Sequence, residues 1–249
     1  MQFVEYILAG LGVGIVFGIF GAGGSAFATP ILALLGVPPL LAVASPLPAM
    51  IPAAFNGARR YLREGNLDGR VARLAVIGGF PGTIVGAFTS QFVGGANLLV
   101  LSGLMLAVVG ARMLLPDRTG ATHRGVARAE QTPLVLGATF AVGFLTGLLA
   151  NGGGFLLVPL FVLVLGMTAT RAAGTSMVVV GILTIPTLIT HTVLGHVSLV
   201  VASGFAIGLI PASAYGAHIS QRLHPARARA AFGAMLVVFS IWFLIHEIT

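Results

Sequence analysis

Apolar residues fill this chain in long unbroken stretches, separated by short polar or glycine-rich interruptions. In the first half the stretches cover approximately 3–20, 25–37, 40–58, 73–92 and 97–115. In the second they cover approximately 132–150, 154–166, 172–192, 196–219 and 228–246. Continuous runs predict helices, because the strands of a membrane barrel alternate apolar with polar residues. Helices also satisfy every backbone donor and acceptor within the segment, which a bilayer demands. The expected fold is therefore all-α and polytopic, with eight to ten helical segments. The second stretch of each half is short, at about 1.5 Å of rise per residue against an apolar core of about 30 Å. The first two segments of each half are either a hairpin that turns inside the membrane or two crossings.

The interruptions repeat. GIVFGIFGAGGSAFATP at Gly14–Pro30 matches GFLTGLLANGGGFLLVP at Gly143–Pro159. The match continues at a spacing of about 130 residues, pairing Gly36 with Gly166, Gly65 with Gly195, Pro81 with Pro211 and Gly86 with Gly216. The domain reading is a first repeat at 1–116, a linker at 117–131 and a second repeat at 132–249.

Charge orients the repeats. All thirteen basic residues are arginine, and they cluster. Arg59, Arg60, Arg63, Arg70 and Arg73 crowd one connection of the first half, while the matching connection, His191 to Val197, has none. One connection later the bias reverses: Val93 to Asn97 is uncharged and its counterpart carries Arg222, Arg227 and Arg229. Cytoplasmic loops collect arginine, so corresponding loops face opposite sides and the repeats are expected to be inverted. Arg112, Arg118, Arg124 and Arg128 put the linker in the cytoplasm, and counting from there leaves both termini outside. Residues Met1 to Phe20 have no positive region before their apolar run, unlike a secretory signal; they read as the first span.

Composition sharpens the class. Only 8% of the residues are charged and 57% are apolar, whereas soluble domains carry about 25% charged residues. A second globular domain and a nucleic-acid partner are excluded, and the net charge of +7 reads as orientation in the lipid. With no cysteine, disulfides, thiolate metal sites and thiol catalysis are absent. No metallopeptidase, nucleophile-elbow or phosphate-loop motif occurs, so neither an enzyme, a primary pump, a metal nor a cofactor is expected.

Inverted repeats with interrupted helices are the signature of secondary transporters. The interruptions here are Gly21, Gly23, Gly24 and Ser25 in one half and Asn151, Gly152, Gly153 and Gly154 in the other. A helix start exposes unpaired N–H groups and about half a positive charge. Two such starts meeting near the midplane would hold a small anion without any ionised side chain, and glycine lets it approach the backbone. Ser45 aligns with Thr175, and Ser176 follows; these hydroxyls either complete that anion shell or bond back to their own helix. Arg171 is a candidate for drawing anions inward, or else an orienting charge. Every acidic residue lies in a terminus or a loop, so a proton-coupled mechanism would fall to His191, His196 or His218, or to the substrate's own protonation.

The paired stretches GAGGSAFATP and NGGGFLLVP, with ATRAAGTS and the AFNGARRYLREGNLDGR loop, resemble the TauE/SafE family of sulfite exporters over nearly the whole chain. The resemblance implies transport of small sulfur oxyanions, such as sulfite or organosulfonates like sulfoacetate, across a bacterial cytoplasmic membrane. It places the family's glycine-rich segments on Gly21, Gly23, Gly24 and Ser25 and on Gly152, Gly153 and Gly154. Ser25 and Asn151 depart from the usual pattern. The expected partners are that anion and the bilayer; a homodimer is left open. An anion channel and an accessory protein of sulfur metabolism are the rivals to a carrier.

Overall fold

The computed structural model describes residues 2–21, 26–115, 132–149 and 154–248. The linker at 117–131 and six of the candidate binding residues, Gly23, Gly24, Ser25, Asn151, Gly152 and Gly153, lie outside these. The described chain is helical, with no strand: α1 (Gln2–Phe20), α2 (Ala28–Leu34), α3 (Pro39–Ala44), α4 (Leu47–Arg63), α5 (Gly69–Val93), α6 (Gly95–Leu114), α7 (Thr132–Leu149), α8 (Gly154–Pro159, running into a π turn at Leu160–Val164), α9 (Ala169–Val193), α10 (Leu199–Ser220) and α11 (Pro225–Ile248). Among the described residues, seven helical stretches are long and apolar enough to cross a membrane, with α3 and α4 counted as one stretch. The 24-residue α11 contains an eighth, shorter apolar stretch, Ala230–Phe243.

Local chemistry sets the ends of these helices. Four glycines at positive φ, Gly36, Gly65, Gly166 and Gly195, stop a helix where side chains are disfavoured. At Gly65 the next N–H, of Asn66, reaches back to Tyr61 O; at Gly195 the N–H of His196 reaches His191 O. This closing turn carries α4 as far as Arg63, five residues past the end expected from hydropathy alone. The apolar pattern fades before the helix does, because arginine at a helix end costs nothing in the interfacial region. Starts are set by Asp68, whose carboxylate accepts from Arg70 N and Val71 N, and by proline at the first turn of α3.

Packing follows the repeat. The first helix of each half lies on the fourth segment of the other: α1 on α10 and α7 on α5. Small residues make this close approach, with Gly10, Gly14 and Gly18 of α1 meeting the α10 backbone from Phe205 to Ala217. On the other side Gly78, Gly82 and Gly86 of α5 meet α7 from Leu136 to Leu148. Helices in lipid associate through such small-residue faces, since lipid tails are as apolar as leucine. In both pairs residue numbers rise together, so the helices run parallel. The α4–α9 and α6–α11 pairs join equivalent helices and run antiparallel: Gly57 meets Met177 while Gly174 meets Tyr61, and Gly110 meets Val237 while Gly233 meets Met113.

The perimeter is apolar, with Phe92, Val193 and Leu199 at least 80% exposed, as lipid contact requires. The arginine-rich connections share one end. Asn66 Nδ2 donates to Gln221 Oε1 at 3.0 Å, and Arg171 pairs with Asp68 at 3.0 Å. His191, His196 and Ser45 lie at the opposite end, where Ser198 N donates to Ser45 Oγ at 2.9 Å.

Candidate functional site

Helix interruptions occur where the sequence places them, after α1 and after α7. Gly21 follows α1 at φ 66°, and a Cβ there would run into the backbone of Ala173 on α9. Its carbonyl accepts from Ser176 Oγ at 2.7 Å. One turn earlier, Tyr61 OH reaches Gly18 O at 3.0 Å and Ile19 O at 3.2 Å. In the second half Gly147 O, in the last turn of α7, faces His191 Nε2 at 3.3 Å. Tyr61 and His191 hold equivalent positions in the repeat, as do Gly18 and Gly147. Each interruption is thus pinned by an aromatic-ring polar atom from the end of the central antiparallel pair. The two pinned ends are level with Gly174 and His191 of α9, roughly 26 Å apart at the helical rise. The carbonyl ends of α1 and α7 therefore stand at opposite ends of the fold, and α2 begins further towards its middle than α1 ends. Consistent with this, Phe20 stacks on Phe232 (4.9 Å) and Phe27 meets Phe239 edge-on (4.7 Å), two turns further along α11.

The hydroxyls have defined work. Thr175 Oγ1 accepts from Asp68 N at 3.0 Å and donates to Arg171 O at 2.7 Å. Ser45 Oγ accepts from Ser198 N at the equivalent place. Both are fully buried. Each ties its own half to the residue that opens the fourth segment of the other half, so both hydroxyls are engaged with backbone. Replacing Thr175 with valine or Ser45 with alanine is expected to lower stability by about 1 kcal/mol each. Thermal melting should show that loss while transport per folded molecule is retained. A shell role would give the converse, lost transport at unchanged melting temperature.

The Arg171 guanidinium engages Asp68, and half of its side chain stays exposed. His191 is fully buried. Gly154 opens α8 and is buried. Beside Gly21, a cavity of about 20 Å³ is lined by Ile19, Phe20, Val158, Ala173, Ser220 and Phe232. That is room for about one water, so an anion reaching this point needs α1, α9 and α11 to part. No cluster of three metal-ligating side chains occurs among the described residues. Tyr61 and Asp68 were not singled out from sequence. The signal for them was there: Tyr61 stands one repeat before His191, and Asp68 one repeat before Ser198.

Long apolar helices, an apolar perimeter and doubled helix interruptions define a polytopic helical membrane transporter. The chain belongs to the TauE/SafE family: the model described as "Sulfite exporter TauE/SafE" matches residues 6–243. Among similar proteins, a probable membrane transporter protein of Xylella fastidiosa is 30% identical over 241 residues, covering 92% of this chain and 90% of that one. The probable membrane transporter protein YunE of Bacillus subtilis is 24% identical, covering 90% and 89%. The probable membrane transporter protein MJ0441 of Methanocaldococcus jannaschii is 25% identical, covering 96% and 94%. No solved structure matches the chain.

Proposed function

We propose that the protein is a secondary carrier for small sulfur-containing oxyanions, sulfite or organosulfonates such as sulfoacetate, in a bacterial cytoplasmic membrane. The anion sits on the glycine-rich starts of α2 and α8, and access alternates as the two halves rock. The observation that carries this is the doubling of the interruption, with the helix end before each copy pinned to the central helix pair. The antiparallel crossing of equivalent helices supports insertion of the halves in opposite orientations. Bare charge is very costly in hydrocarbon, and fixed backbone dipoles meet that cost without an ionised partner.

The test is flux into proteoliposomes with sulfite, sulfoacetate, taurine and thiosulfate offered in turn. Saturable uptake with counterflow is expected for at least one of the sulfur oxyanions. Ohmic single-channel steps would replace the carrier with a channel, and no flux of any of the four would remove the substrate class. Gly21→Ala should cut that flux at least tenfold, because a left-handed backbone costs a side chain roughly 1–2 kcal/mol and its methyl group meets the Ala173 backbone.

A further inference from the structure

The second half differs from the first at its pinned interruption. Where the first half has Tyr61 and Asn66, neither ionised at neutral pH, the second has His191 and His196. Their Nδ1 atoms stand 3.1 Å apart, with ring centroids at 5.3 Å. The partners fix the protons. Gly147 O can only accept, so His191 carries its proton on Nε2 and its Nδ1 is a bare acceptor. The hydrogen at the short contact must then belong to His196 Nδ1, which leaves His196 Nε2 bare in the partly open loop between α9 and α10. A second proton fits without moving a ring. It binds His196 Nε2, and the shared hydrogen can pass to His191 Nδ1, whose Nε2–H already points at Gly147 O. A further one, the fourth on the two rings, would set two N–H groups head to head, so the neutral pair takes up a single proton.

Helix ends lie beside the pair. His191 sits in the last turn of α9 and bonds the last turn of α7. Two helix C-termini, each worth about half a negative charge, therefore converge on one ring. Among the described residues of α3, α4, α5 and α7, no charged side chain lies at this end of the fold. α7 has no ionisable residue, α5 has none after Arg73, and α3 and α4 have none before Arg59, which lies at the far end. Glu5 of α1 lies at the same end of the fold, but α1 packs on α10. Burial lowers the pKa of His196 from its ordinary value, so its ring is neutral at pH 7 and charges as the pH falls.

We propose that His191 and His196 form a one-proton binding site, loaded at His196 and held on His191 against the carbonyl end of α7, that couples transport to protons. As a coupling site it rests on the carrier reading; as a proton site it does not. The experiment has two arms that separate these. In the first, histidine-¹⁵N-labelled protein in lipid nanodiscs is titrated from pH 8 to pH 5 by NMR. One shared protonation is expected, appearing at His196 Nε2 while the His191 Nε2–H persists. Two independent titrations, or none, overturn the site. In the second, a trapped pH dye follows proton movement when sulfoacetate is added outside proteoliposomes. The wild type should move protons with the substrate, and His196→Asn, which restores the residue of the first half, should reduce that movement at least tenfold. His191→Tyr, which keeps a ring donor for Gly147 O as Tyr61 does for Gly18 O, should do the same without unfolding. Unchanged proton movement in both variants, or none in the wild type, overturns the coupling while leaving the NMR result to stand.

Discussion

Gly18→Leu is expected to eliminate the folded protein, whereas Gly12→Leu on the same helix is expected to pass unnoticed. A side chain at Gly18 would enter the α10 backbone at Ser213 O, Gly216 Cα and Ala217 N, while at Gly12 it meets nothing within 4 Å. Overpacking a well-filled site costs about 1–3 kcal/mol even where side chains can shift, and here the obstacle is backbone. The loss also propagates, because Tyr61 is bonded to Gly18 O and its neighbour. Gel filtration of the detergent-solubilised variants and their melting curves make the comparison. A monodisperse, normally melting Gly18→Leu protein would mean that α1 does not lie where it is placed.

Accessibility should divide the molecule into two faces without exception. The natural chain has no cysteine, so single cysteines report cleanly. Glu64→Cys and Arg222→Cys, at the arginine-rich end, are expected to react with an impermeant maleimide only after the cells are opened. Thr192→Cys and Gln91→Cys are expected to react from outside in intact cells. All four positions are exposed. The physical basis is the tie between Asn66 and Gln221, which holds connections from different halves together, combined with retention of arginine on the cytoplasmic side. Labelling of Glu64→Cys and Arg222→Cys from different sides would end the inverted arrangement and the carrier built on it.

Much of this was legible in the sequence because the bilayer imposes simple rules. Length and continuity of the apolar runs located α1, α5, α7 and α10 closely, and the repeat located both interruptions. Hydropathy misjudged helix ends such as Arg63, which are fixed by a glycine turn rather than by polarity. It also gave two second segments of similar length, whereas α2 is a seven-residue α-helix and α8 is six residues followed by a π turn. Roles were harder to read than places. Ser45, Thr175 and Arg171 look the same in sequence whether they face an anion or one another, and only the fold shows that Asp68 N and the Asp68 carboxylate occupy Thr175 and Arg171. The pairing of His191 with His196 depends on the turn at Gly195, a backbone detail that hydrophobicity does not encode.

The exchange of first helices between the halves has a consequence for biosynthesis. Gly10 must find Phe205, about 195 residues later in the chain, so α1 leaves the ribosome long before the surface that covers it exists. Contacts so distant along the chain form late and slowly. Until α10 inserts, a flat strip of glycine faces lipid with nothing to grip. Neither half is then a competent folding unit, yet each supplies what the other lacks. Two separately synthesised fragments, cut in the connecting linker, should assemble in one membrane into a working whole.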